Sequence, residues 1–358
     1  ADLIRHYRLS KKDVRLLCDQ FPDLREVKEN PYLLCKLPGI RFAYVDKAAQ
    51  VKEYDPYNLH RLTAAAEIVI EEYCVSTGDM SMAPGTFLRD FYNFLGGDLE
   101  IKALQKSINK LVSMRRLYFE YGRIYDGWHY DVETEAARLL KALITRKLSY
   151  PDPDEECIRR LEEKYGITLD DVQKGAVLQA VTSPVTLITG GPGTGKSTIV
   201  PFIIELCQGK NAAMEVALLA PTGRAAQNMA EKSGYPASTI HSALQLPPGK
   251  KMLDVRQLTA DLVIVDEISM VGLSLAVNLL AAIPPKARLI LLGDPNQLPS
   301  IEEGAFAREM VALGMRGSLS YTRLECLYRQ KQTSSIPALA NAINGGDAKK
   351  LGKLLEGD

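Results

Sequence analysis

Apolar positions in the first part of the chain recur at three- and four-residue intervals, whereas later they fuse into short unbroken runs. The first pattern predicts amphipathic helices and the second predicts strands buried on both faces. Residues 1–55 read as helical, with a break at Leu37-Pro38-Gly39-Ile40. Residues 56–80 read as one amphipathic helix, and 84–114 as two more separated by Gly96-Gly97. The segment LYFEYGRIYDGWHY alternates apolar and polar residues around a Tyr121-Gly122 turn, with a second turn signal at Asp126-Gly127. That predicts a small β-hairpin. A further helix follows in DVETEAARLLKALI, and Tyr150-Pro151-Asp152-Pro153 is the best linker.

From residue 168 strands alternate with helices. The strands are the apolar runs VTLIT, EVALLA, DLVIVD and ARLILLG. Such runs predict an α/β lobe with a parallel sheet covered on both faces, right-handed crossovers, and functional residues at the carboxyl ends of the strands. The lobe is preceded by a mainly helical region whose helix–helix–hairpin part has the layout of a winged helix.

Composition changes this picture little. The chain has 358 residues, enough for two or three domains, and is 46% hydrophobic. Lys+Arg and Asp+Glu both number 44, so no basic arm advertises nucleic acid. Six cysteines are scattered without a C-x-x-C pair and away from the four histidines. This argues against zinc and suits a reducing cytoplasm, the expected location. No apolar run has the length of a membrane span, so no membrane partner is expected. The first residue is Ala1, and the chain is expected to be an excised piece of something longer.

The chemistry lies at the strand ends. VTLIT runs into GGPGTGKST, a match to G-x-x-x-x-G-K-[ST] in the strand–loop–helix context that this pattern requires. Gly191, Pro192, Gly193, Thr194 and Gly195 form a loop whose backbone N–H groups can wrap a phosphate. The following helix start (Lys196, Ser197, Thr198) adds its positive dipole end. Lys196 can reach the β and γ phosphates of a nucleotide, and Ser197 can ligate Mg²⁺. DLVIVD ends at Asp266-Glu267, placed either to hold Mg²⁺ (Asp266) and activate water (Glu267), or merely to cap a strand with exposed charge. ARLILLG ends at Gly293-Asp294-Pro295-Asn296-Gln297, a turn by composition, in which the Gln297 amide can both donate to a phosphate and accept from water. EVALLA ends at Pro221-Thr222-Gly223-Arg224, where Thr222 either caps the next helix or helps to bind a nucleic-acid phosphate.

In order and spacing, GGPGTGKST, APTGRAA, VDEIS and GDPNQLPS resemble the ATPase motifs of superfamily-one helicases, and most of all the RecD-like family related to the exodeoxyribonuclease V alpha subunit. The resemblance implies a RecA-like lobe that takes ATP and Mg²⁺. It implies that Gln173 reads the adenine edge. Pro221, Thr222, Gly223 and Arg224, with Thr239 and His241 of STIH, would contact DNA. Cys326-Leu327-Tyr328-Arg329-Gln330 resembles the motif whose arginine reaches the γ-phosphate from across the cleft, which would make Arg329 an arginine finger rather than a surface ion pair. Upstream, LPGIRFAYVDKAA resembles the helix-hairpin-helix region of the longer RecD-like proteins, with Arg41 where the motif has its second glycine.

The resemblance implies four segments: a helix-hairpin-helix-like one (1–55), a helical one with the winged-helix-like hairpin (56–150), an ATPase lobe (151–322), and the start of a second motor lobe (323–358) whose remainder is missing. It implies an ATP-dependent helicase on single-stranded DNA and single-strand/duplex junctions, moving 5′→3′, in recombination or repair and alongside other such subunits. Two alternatives stay open: an ATP- and DNA-binding module without appreciable turnover, and a P-loop phosphotransferase.

Overall fold

The computed structural model describes residues 7, 9–50, 55–148, 153, 155–209, 211, 213–246, 255–325 and 352–353. Arg329 with its motif, the expected start of a second lobe, and Tyr150-Pro151-Asp152 of the linker lie outside the described residues. The chain divides into two compact units, Ala1–Glu133 and Thr134–Asp358.

In the first unit, helices α1 (Lys11–Gln20), α2 (Leu24–Glu29), α3 (Phe42–Ala49), α4 (Leu59–Thr77), α5 (Pro84–Phe94) and α6 (Ile101–Ser113) precede a hairpin of β1 (Leu117–Glu120) and β2 (Arg123–Asp126). The break expected at 37–40 is a turn between a 3-10 segment, Pro31–Lys36, and α3. Gly39 takes a left-handed φ of 87° there, a conformation that other residues avoid. Arg41 heads α3 at φ −84°, ψ 142°, ordinary extended backbone. The turn therefore forms with arginine where the motif's second glycine stands.

Helix α4 shows why these segments are helical. Leu62, Ala65, Ala66, Val69 and Ile70 fall on one face and are buried, the Asn58 side chain accepts from the His60 N–H (2.9 Å), and Gly78 ends the helix in the left-handed region. Its buried face packs with Phe87, Phe91, Leu104, Leu111 and Leu117. The hairpin turns at Tyr121-Gly122, with Leu117 opposite Asp126. The second turn expected at Asp126-Gly127 is instead the start of α7 (Gly127–Thr145), four residues ahead of the expected helix. The Asp126 carboxylate accepts from the His129 N–H (2.8 Å) and so satisfies a first-turn donor of the helix there.

The second unit holds α8 (Glu155–Tyr165), α9 (Asp171–Thr182), β3 (Val185–Gly190), α10 (Lys196–Gln208), β4 (Val216–Ala220), α11 (Gly223–Ser233), β5 (Ala237–Thr239), α12 (Ile240–Leu244), β6 (Leu262–Val265), α13 (Leu273–Ala282), β7 (Arg288–Gly293), α14 (Phe306–Met315) and β8 (Ser320–Leu324). Its six strands form one sheet in the order β5-β4-β6-β7-β3-β8, and every pairing is parallel. Burial on both faces is visible residue by residue. Leu187, Val263, Val265, Leu289 and Leu291 join one core cluster, while Ile188, Leu262, Ile264, Ile290 and Leu292 join the other. Helix α10 continues through Pro201, where an interior proline costs about 3 kcal/mol. Burying Ile199, Val200, Phe202, Ile203 and Ile204, each worth about 1.5–3 kcal/mol, outweighs that. No helix among the described residues is long and apolar enough to cross a membrane.

Candidate nucleotide site

Strand β3 sits between β7 and the edge strand β8, and its carboxyl end runs straight into the glycine-rich loop. Gly193 (φ 83°) and Gly195 (φ 89°) give this loop its curvature. Thr194 Oγ1 donates to the Gly191 carbonyl (2.9 Å), and α10 begins without a side-chain cap, which leaves its first N–H groups for an anion. A side chain is excluded at Gly190, where a Cβ would sit against Thr194 Oγ1 and 2.9 Å from the Leu324 carbonyl. Gly190→Ala should therefore shift β8 or the loop and lower stability by about 1–3 kcal/mol in chemical denaturation. A loss under 0.5 kcal/mol would show that the strand end has room for a methyl group.

Lys196 Nζ donates to the carbonyls of Gly190 and Gly191 (3.1 Å to the latter). Burial pushes its ammonium pKa down, and Asp294, Asp266 and Glu267 push it back up. Asp266 is raised above the usual carboxylate range by burial, against the Glu267 N–H that its Oδ1 accepts (2.8 Å) and against Lys196. Glu267 is raised by burial and then by Asp266. Its backbone is left-handed at φ 55°, an uncommon state for glutamate of the kind that collects at functional sites.

The structure brings most of the expected residues into one cleft of about 940 Å³: Gln173, 191–198, Thr222, Arg224, Asp266, Glu267 and Gln297. Gln173 is buried; its Oε1 accepts from the Asp170 N–H (3.2 Å) and its Nε2 donates to the Thr194 carbonyl (3.3 Å). It thus ties the start of α9 to the phosphate loop while one amide hydrogen and one lone pair stay uncommitted by these bonds. Gln297 is exposed at the cleft. Thr222 and Thr239 lie at the ends of the adjacent strands β4 and β5, capping α11 (Ala225 N–H, 3.2 Å) and α12 (Ser242 N–H, 3.1 Å). Pro221, Gly223, Thr239 and an exposed His241 belong to these strand ends and do not line the cleft, whereas Arg224 faces it.

Two contributors escape a reading of the sequence alone. Asp294 is buried behind the cleft, its Oδ1 bonded to the Asn296 N–H (3.0 Å), and its charge acts on Lys196 and Glu267. Lys232 also lines the cleft and acts on Asp266 and Glu267. The available signal was the four-residue spacing of Arg224, Asn228 and Lys232, one face of α11.

The donor set fits Mg²⁺. Ser197 and Asp266 both line the cleft and offer hard oxygen, the donor type that Mg²⁺ takes.

A parallel sheet with a phosphate loop, an acidic strand end and a polar third strand end defines a P-loop ATPase lobe of the RecA type. Residues 173–303 match the family model of an AAA domain, and residues 3–81 match that of the HHH domain of ATP-dependent RecD2 DNA helicase. The ATP-dependent RecD2 DNA helicase of Deinococcus radiodurans is 28% identical over 341 residues, 92% of this chain and 46% of that protein. The RecBCD enzyme subunit RecD of Haemophilus influenzae is 30% identical, covering 79% of this chain and 47% of that one. Unliganded Pif1 from Bacteroides sp superposes at a TM-score of 0.36 and 21% identity, over 53% of this chain and 49% of that one, a likeness too loose to argue from. The chain belongs to the RecD-like helicases, as an amino-terminal region followed by a first motor lobe. It spans about half the length of the curated relatives it matches.

Proposed function

We propose that this chain works as the nucleotide-hydrolysing lobe of an ATP-driven DNA helicase. The observation that carries the reading is the convergence of Lys196, Asp266, Glu267 and Gln297 on one cleft at the carboxyl edge of the sheet. Lys196 holds the β and γ phosphates, exchanging its carbonyl partners for phosphate oxygens. Glu267 takes a proton from water as the water oxygen bonds to the γ phosphorus and the bond to the β-phosphate oxygen breaks. Mg²⁺, held by Ser197 and Asp266, would neutralise charge on the phosphates. Gln297 senses the γ-phosphate, and Arg329 contacts it from across the cleft. The strand ends at Pro221–Arg224 and at Thr239 and His241 follow a single DNA strand through its backbone, which gives little sequence preference. Movement is 5′→3′, in recombination or repair.

Full-length protein should separate a duplex carrying a 5′ single-stranded tail in the presence of ATP and Mg²⁺, and leave a 3′-tailed duplex intact. Unwinding from the 3′ tail alone would refute the direction, and no unwinding of either would refute the helicase reading.

The raised carboxyl of Glu267 also sets a pH dependence. A base with a raised pKa keeps its proton at a higher pH than ordinary glutamate, so hydrolysis is present above that pKa and lost as pH falls through it. The acid limb of a kcat/KM profile should therefore lie above the usual glutamate pKa of about 4.3. An acid limb at or below that value would contradict the burial assigned to Glu267.

A further inference from the structure

Helix α6 buries one face and leaves an unusual one exposed. Leu104 and Leu111 are fully buried, with Ile108 and Val112 packed beside them. The opposite face carries Lys102, Lys106 and Lys110, all exposed and four residues apart, flanked by Gln105, Asn109 and Ser113. Of the described helices with eight or more residues, α6 alone has basic residues and no acidic one. A solvated face explains the exposure but not this composition, because like charges at four-residue spacing repel and a glutamate among them would relieve it. None of the three lysines makes an ion pair among the described residues.

Two further details run against local stability. Lys102 stands in the first turn, where the helix dipole disfavours a cation. Beyond the helix end, Arg115 adopts φ 54° in a turn closed by Arg115 N–H to the Val112 carbonyl (3.0 Å) and Arg116 N–H to the Leu111 carbonyl (2.9 Å). Glycine is the customary residue at that position. The arginine there is exposed.

We infer that the outer face of α6, through Lys102, Lys106 and Lys110, is a docking surface for the phosphate backbone of duplex DNA. The lysines lie about 6 Å apart along a rigid axis, a fixed array suited to a regular line of phosphates. The stripe itself has no aromatic side chain on which unpaired bases could stack, as single-strand sites do. The surface belongs to the first unit and stands independent of the ATP cleft.

The test is fluorescence anisotropy of the full chain with a blunt 20-base-pair duplex and with a single strand of equal length, across a salt titration. The triple variant Lys102→Gln, Lys106→Gln, Lys110→Gln should bind the duplex at least about tenfold more weakly, with a log–log salt slope shallower by about 3. Single-strand affinity and ATP binding should be unchanged. The triple Lys→Arg variant should keep duplex affinity, which separates lost charge from lost folding. Unchanged duplex affinity and slope in the glutamine variant, or an equal loss for the single strand, would overturn the proposal. ATP binding is read separately, so failure of the nucleotide reading would show without touching this result.

Discussion

Replacing Glu267 with glutamine should slow ATP hydrolysis by about 10²–10⁴-fold while nucleotide affinity stays within a few fold. The substitution keeps size and hydrogen bonding but removes the carboxylate proposed to accept a proton from water. Lys196 and Asp266, proposed to hold phosphate and Mg²⁺, are untouched. The same change should not destabilise the fold. The folded-state pKa of Glu267 is raised by burial and by Asp266, so at neutral pH folding works against an ionised carboxylate, a cost that fades as pH falls. Glutamine removes that cost, so the thermal midpoint should hold or rise. Single-turnover hydrolysis and a melting curve decide it: a variant that hydrolyses at the wild-type rate would strip Glu267 of its role.

The second large effect is on stability and lies far from the nucleotide in sequence. Asp46 is buried and accepts from Arg61 Nε (2.8 Å) and Nη2 (2.9 Å) and from the Tyr32 hydroxyl (2.8 Å). Arg61 is buried too, with Nη1 donating to the Pro56 carbonyl (3.1 Å). The node ties the 3-10 segment, α3 and α4 together within the stretch that matches the RecD2 HHH domain. Asp46→Ala leaves a guanidinium buried without its counter-ion and should cost about 3–5 kcal/mol in urea denaturation. The double variant Asp46→Leu, Arg61→Met should recover much of that, because the pair gains little over a well-packed apolar contact once desolvation is counted. A loss below 1 kcal/mol for the single variant would show that water reaches the site.

Strands β3, β4, β6 and β7 were legible because each is an apolar run ending in a polar motif, the signature of burial on both faces. The short β5 and the edge strand β8 were not. Ala237–Thr239 is only three residues long, and Ser320–Leu324 is mostly half-exposed, so its sequence SYTRL lacks the apolar run. Proline and glycine marked the 37–40 turn, yet at Asp126-Gly127 the same kind of signal marked a helix start, since an aspartate that turns a chain also caps a helix. Within the cleft, the positions of Lys196 and Asp266 follow from strand ends. The Gln173 bond to the Thr194 carbonyl, the burial of Asp294 and the approach of Lys232 depend on packing between helices that no local pattern encodes.

The most direct measurement is equilibrium binding of ATP with Mg²⁺ to this chain and to its Lys196→Ala variant, followed by turnover with and without single-stranded DNA. Saturable binding by the wild type is expected, weakened about ten- to a hundredfold in the variant by loss of charged hydrogen bonds to phosphate. Equal affinity of both proteins for ATP would show that Lys196 does not hold the nucleotide's phosphates.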